Sequence, residues 1–136
     1  MPTVRITRRV HFSAAHRLHN PELGDDENRE RFGPCNSPNF HGHNYEMEVT
    51  VEGEPNPTTG YVVDLKELRD AAESVIGDLD HRNLNVDVPW LADTIPSTEN
   101  LVVAIWERME PRIPNGRLVS IRLWETPRNS VEYRGS

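Results

Sequence analysis

His41-Gly42-His43-Asn44-Tyr45-Glu46-Met47-Glu48-Val49-Thr50-Val51 decides how this chain is read. From Tyr45 onward, large and apolar residues alternate with polar ones, which is the period of a half-buried β-strand. The strand is expected over residues 43 to 53. Side chains two apart on a strand point to the same side, so His41 and His43 share one face. Two imidazoles placed this way can share one metal ion.

Toward the N-terminus, residues 3 to 13 alternate as well. Val4, Ile6, Arg8, Val10 and Phe12 fall on one side, and Thr3, Arg5, Thr7, Arg9 and His11 on the other. His16 closes this strand-like run after Ala14-Ala15. Between the two strands lies a polar segment from Asn20 to Phe40, punctuated by Gly24, Gly33, Pro34 and Pro38. Loops of this length commonly have a function of their own, and a helical turn is read around Asp25 to Arg31. The segment carries Cys35, the only cysteine, six residues before His41.

Toward the C-terminus, Glu54 to Gly60 reads as a turn. Asp64 is placed to cap a helix with Glu67 three residues on, and Leu65, Leu68, Ala72, Val75 and Ile76 recur at helical spacing up to Gly77. Ser97 or Thr98 opens a second helix that Pro111 bounds. Arg117 to Glu125 and Ser130 to Arg134 alternate as strands. The order ββααββ makes an α+β fold, a four-stranded antiparallel sheet with two helices on one face.

The length of 136 residues suits a single domain, 1–136. One cysteine cannot form an internal disulfide, and Met1-Pro2-Thr3-Val4-Arg5 opens no apolar signal stretch, so a soluble, cytoplasmic protein is expected. A formal net charge of −7 speaks against nucleic acid or an anionic membrane as partner. It leaves room for a small anionic substrate, which needs only a local cluster of arginines.

His-x-His alone is also compatible with two histidines that happen to share a strand face. With His16 at the end of the neighbouring strand the set becomes three imidazoles without a carboxylate or thiolate, the ligand set of a catalytic zinc site with one open position. Magnesium and calcium prefer oxygen ligands. His11 and His19 are weaker candidates, one on the opposite strand face and the other past the strand end. Cys35 has three readings: an inert buried thiol, a fourth ligand that would close the site as structural zinc, or a base or nucleophile beside a cation that favours the thiolate. Asp80-His81 places a carboxylate beside an imidazole after the first helix, either a plain helix-end turn or a proton relay. Glu125 ends a strand beside Trp124.

Five stretches in order carry a resemblance. Phe12-Ser13-Ala14-Ala15-His16-Arg17-Leu18, Gly33-Pro34-Cys35 through His43-Asn44-Tyr45, Leu79-Asp80-His81-Arg82-Asn83-Leu84, Ser97-Thr98-Glu99-Asn100 and Trp124-Glu125-Thr126 resemble the motif series of the 6-pyruvoyl tetrahydropterin synthase family. The related 6-carboxytetrahydropterin synthases of the queuosine pathway typically place the cysteine four residues before the His-x-His, whereas six separate Cys35 from His41 here. Phe40 stands where the pyruvoyl-forming branch leads one to expect glycine.

The resemblance implies a zinc lyase that converts 7,8-dihydroneopterin triphosphate to 6-pyruvoyl-5,6,7,8-tetrahydropterin with loss of triphosphate. It implies zinc on His16, His41 and His43, Cys35 as the proton-abstracting base, and Asp80 with His81 as its relay, His81 coming from a neighbouring subunit. Glu125 would bind the pterin, with Thr98 and Glu99 as further pocket residues. The implied assembly is the tunnelling fold, three subunits closing a barrel and two trimers stacking into a hexamer. Two other functions stay open: a 6-carboxytetrahydropterin synthase, and a zinc-stabilised pterin-binding protein without turnover in which Cys35 is merely a fourth ligand.

Overall fold

The computed structural model describes residues 2–136. Its centre is a five-stranded sheet in the order β3-β1-β2-β4-β5, with β1 (Val4–His16), β2 (His41–Gly53), β3 (Arg82–Asn83), β4 (Arg117–Thr126) and β5 (Asn129–Tyr133). β1 and β2 run antiparallel in one unbroken register, from Val4 opposite Gly53 to His16 opposite His41. The alternation read from the sequence sorts the two faces. Val10, Phe12, Tyr45, Met47, Val49 and Val51 are buried. On the other face Arg9 meets Glu46 at 3.3 Å and Glu48 at 3.1 Å, and Arg5 meets Glu52 at 2.9 Å. Exposed ion pairs of this kind contribute little individually, so burial of the apolar face carries the pairing.

Three helices accompany the sheet: α1 (Asp25–Phe32), α2 (Leu65–Ile76) and α3 (Thr98–Met109). The Asp64 side chain accepts from the Lys66 N–H, and Ser97 accepts from the Asn100 N–H, so both expected caps satisfy backbone donors that a helix start leaves free. α2 contributes Leu68, Ala72, Val75 and Ile76 to the core and α3 contributes Leu101, Val102, Ile105 and Met109, packed with Ile121 and Leu123 of β4. Leu65, counted with the apolar stripe of α2, is 48% exposed in its first turn.

The expected four-stranded antiparallel sheet and the order ββααββ are both corrected. The fifth strand is β3, two residues that pair parallel to β1 at Ala14 and Ala15, which makes the sheet mixed. So short a strand has no alternation to read. The third helix is α1, where only the isolated turn was read. Its sequence Asp-Asp-Glu-Asn-Arg-Glu-Arg-Phe has no apolar stripe, and its one buried residue is Asn28. That amide accepts from the Asn20 N–H and donates to the carbonyls of Asn20, Leu23 and Gly24, so hydrogen bonds replace apolar packing. The sheet of one chain is open. Beyond the two residues of β3, the outer edge of β1 is tied at Ser13, which receives the His81 N–H at 2.6 Å and donates to Asp80 at 2.9 Å, and at Ala15, whose carbonyl receives the Leu84 N–H at 2.8 Å.

Candidate metal centre and active site

The β1–β2 register brings His16 directly opposite His41, and the strand period puts His43 on the same face, opposite the small Ala14. The three rings meet edge to face, with centroids 4.6 Å apart for His16–His41, 5.1 Å for His16–His43 and 4.9 Å for His41–His43. Their ligand nitrogens all lie within 4.8 Å of one another. His16 is 1% exposed. Its Nδ1 lies 2.7 Å from the Pro96 carbonyl, which can only accept, so Nδ1 is the protonated nitrogen and Nε2 keeps its lone pair.

His41 Nδ1 and His43 Nε2 are buried without a hydrogen-bond partner. Burial pushes the His16 pKa down, against the pull of the Pro96 carbonyl, and His41 and His43 lower it further. His43 is likewise lowered, first by burial, with Glu125 opposing. His16 and His43 thus favour the neutral imidazole, the form that ligates. Orphaned buried nitrogens and an all-imidazole donor set fit a divalent ion with open positions. Among the described residues the convergent set consists of these three; Cys35 is not part of it.

Glu125 stands next to the cluster because of a β-bulge. Trp124 pairs with Ser130 and Thr126 with Asn129, leaving Glu125 as the extra residue of β4. Its Oε1 is 3.7 Å from His43 Nε2, and its Oε2 accepts from the Thr98 hydroxyl at the start of α3. Thr98 is buried and supports the carboxylate, while the exposed Glu99 lines a hollow of about 310 Å3 together with both. A second hollow of about 510 Å3 runs between His43, Glu125, Trp124 and Arg9.

Cys35 lies in a 3-10 turn, Gly33–Asn36, and is a half-buried free thiol. Its carbonyl accepts from the Leu18 N–H at 2.8 Å, which ties the turn to the segment just after His16. Asp80 accepts the Ser13 N–H at 2.9 Å and lies 3.1 Å from His81 Nδ1, and these contacts, the backbone bond first, hold its carboxyl below the usual range. The His81 side chain is 83% exposed, at a left-handed φ of 60°. Among the described residues no hydrogen bond joins Cys35 to Asp80 or His81. His11 is exposed on the opposite face, and His19 accepts from Arg17 and Asn36, so neither enters the cluster.

Residues 5–136 match the family model described as 6-pyruvoyl tetrahydropterin synthase. The chain belongs to the 6-pyruvoyl tetrahydropterin synthase family. It is 46% identical over 132 residues to the 6-pyruvoyl tetrahydrobiopterin synthase of Homo sapiens, covering 96% of this chain and 91% of that one. Identity to the synthase of the same name from Poecilia reticulata is 50% over 131 residues, covering 96% and 89%. The structure of Caenorhabditis elegans 6-pyruvoyl tetrahydropterin synthase superposes with a TM-score of 0.95 at 42% identity, covering 100% of this chain and 98% of that one.

In this member of the family, four contributors escaped the reading of the sequence. Pro96 holds His16 across 80 positions, and no local pattern announces it. The bulge at Glu125 is a matter of pairing rather than of residue type. Asn36 is 5% exposed and donates to the Leu18 carbonyl at 2.8 Å, bracing the turn of its neighbour Cys35. Tyr45 was within reach, since it follows His43 on the same face of the alternating strand. Its ring stacks on Phe12 at 4.8 Å and stands edge-on to His43 at 5.7 Å. Burial first, then Glu125, pushes its phenol up, so it remains a protonated donor, and its hydroxyl has no partner.

Proposed function

We propose that this chain is a zinc-dependent lyase that converts 7,8-dihydroneopterin triphosphate to 6-pyruvoyl-5,6,7,8-tetrahydropterin with elimination of triphosphate. The observation that carries the reading is the convergence of three imidazoles, two with unpartnered buried nitrogens, beside a carboxylate braced by Thr98, in a chain of this family. Residues 1–136 then form a single pterin synthase domain.

His16, His41 and His43 hold the zinc. When bound, zinc would supply Lewis acidity that makes the protons of a neighbouring hydroxylated side chain easier to remove. Glu125 accepts two parallel N–H bonds from the guanidine-like edge of the pterin. Thr98 keeps that carboxylate in place, and Glu99 borders the same hollow. Cys35 takes a proton from the substrate side chain, and Asp80 with His81 receives it. Oxidation of the side-chain carbons is balanced by reduction of the pterin ring, so no redox cofactor takes part.

His81 acts on the site of a neighbouring subunit, a role favoured by its outward, exposed side chain. The unpaired edge of β1 and the edge strand β5 are the surfaces through which subunits join, three closing a barrel and two trimers forming a hexamer. No helix among the described residues is long and apolar enough to cross a membrane, in keeping with a cytoplasmic enzyme.

The test is incubation of zinc-loaded protein with 7,8-dihydroneopterin triphosphate and identification of the products by mass. The pyruvoyl product with inorganic triphosphate is expected. A 6-carboxy product would assign the chain to the queuosine pathway, and a bound but unchanged pterin would make it a binding protein.

A further inference from the structure

A hollow of about 640 Å3 is lined by none of the groups assigned above. It adjoins the histidine cluster through the backbone: Arg17 follows His16, Phe40 precedes His41, and Ile95 precedes Pro96, whose carbonyl holds His16. Glu125 borders two other hollows and not this one. With the pterin end taken by Glu125, the rest of the substrate has this wall of the cluster available.

Two features of the wall are costly in isolation. Phe40 has a φ of 66°, a left-handed backbone that bulky side chains avoid and that persists where the surroundings enforce it. Its N–H donates to the Ser37 carbonyl at 3.0 Å, and the Arg17 guanidinium lies over its ring, 5.9 Å from the centroid. Arg17 spends one terminal nitrogen on the Asn36 carbonyl at 3.1 Å and on His19 Nδ1 at 3.0 Å. Its Nε is buried without a partner, and none of the ion pairs among the described residues includes it. A buried guanidinium N–H of this kind calls for an acceptor from an incoming group. The backbone that carries the side chain is fixed, because Asn85 accepts from the Arg17 N–H at 2.9 Å and donates to its carbonyl at 3.0 Å.

We propose that this hollow is the subsite for the triphosphate arm of the substrate, with Arg17 donating to a phosphate oxygen and the Phe40 ring holding the guanidinium in place. The assignment rests on the pterin triphosphate reading of the cluster. Glu22 and Asp93 share the lining. A triphosphate travels with a divalent cation, and magnesium is commonly held by one or two carboxylates together with phosphate oxygens. The probe is therefore inorganic triphosphate with magnesium.

The experiment measures inhibition of the zinc-loaded enzyme by magnesium triphosphate, and the KM for substrate, in Arg17→Gln, Arg17→Lys and Phe40→Gly. Arg17→Gln is expected to weaken inhibition and raise KM by about tenfold or more. Zinc content and affinity for 7,8-dihydroneopterin, which lacks the arm, should stay within about twofold of wild type. Arg17→Lys restores part of the loss. Phe40→Gly accepts its backbone angle without strain, so it should resist urea at least as well as wild type, while inhibition weakens by less than in Arg17→Gln because the guanidinium keeps its charge.

Unchanged inhibition in Arg17→Gln, with substrate still turned over, overturns the subsite. Loss of zinc or of dihydroneopterin affinity in that variant makes Arg17 structural and overturns it too. If wild type does not turn over the substrate, the parent reading fails instead. Calorimetric binding of magnesium triphosphate to wild type and Arg17→Gln then decides the subsite by itself, loss of binding in the variant supporting it and equal binding overturning it.

Discussion

Replacing Glu125 by Gln keeps the size of the side chain and removes one acceptor and the charge. In the folded protein Oε2 accepts from the Thr98 hydroxyl and keeps a second lone pair, and Oε1 lies 3.7 Å from His43 Nε2, so each oxygen can still accept one of a ligand's paired N–H groups. A hydroxyl can turn and accept, so the new amide nitrogen can settle against Thr98 and leave one carbonyl oxygen toward the pterin. In that arrangement the variant loses charge assistance and one of two paired bonds, about 1.4 kcal/mol, or tenfold in affinity. If the amide flips, two donors face each other in a buried site, and the loss rises to about 3 kcal/mol, more than a hundredfold. Calorimetry with 7,8-dihydroneopterin, which avoids the triphosphate, measures this directly. Zinc content should be unchanged, because Glu125 is outside the convergent ligand set. Thr98→Val should show a smaller loss, since the carboxylate keeps its charge. Wild-type affinity in Glu125→Gln would refute pterin recognition by this residue.

Three further outcomes are expected. His41→Ala should abolish stoichiometric zinc and turnover together, while Cys35→Ala keeps the zinc and loses turnover; metal analysis of both proteins separates an open site from a closed one. Asp80, whose carboxyl is held below its usual range, contributes stability that is present above the unfolded value of about 3.9 and is lost as pH falls through the lower folded value. Urea midpoints of Asp80→Asn should therefore lie below wild type at pH 7 and converge with it toward pH 2, by a modest amount because the side chain is 42% exposed. Leu68→Ala, at a fully buried position of α2, should cost about 2–5 kcal/mol in urea unfolding.

What was legible in the sequence was local. The period of two in β1 and β2 fixed which histidines share a face, and the spacing of Leu68, Ala72, Val75 and Ile76 announced α2. The two strands also put three imidazoles at one end of one face, so the candidate cluster could be read before any coordinates. What escaped depends on partners distant in sequence or on polar packing. β3 exists because Arg82 and Asn83 meet Ala14 and Ala15 in parallel, and α1 is held by the amide of Asn28. The Thr98–Glu125 contact spans 27 positions, and the Ser13–Asp80 bond spans 67. Residue type marked these side chains as candidates, but only the fold says that Thr98 serves Glu125.

The unbroken pairing of Val4–His16 with His41–Gly53 makes length a chemical variable. A single residue inserted into β1 between Phe12 and Ala14 would turn His16 to the charged face and leave the other two imidazoles one ligand short, with Ala14 no longer opposite His43. Two inserted residues would restore the face but move His16 about two rises, near 7 Å, along the strand. Neither change touches a ligand residue, yet both should abolish metal binding. The spacing of this strand is therefore under as much chemical constraint as the identities of the histidines, and in the longer connection from Arg17 to Phe40 length can vary with far less consequence for the cluster.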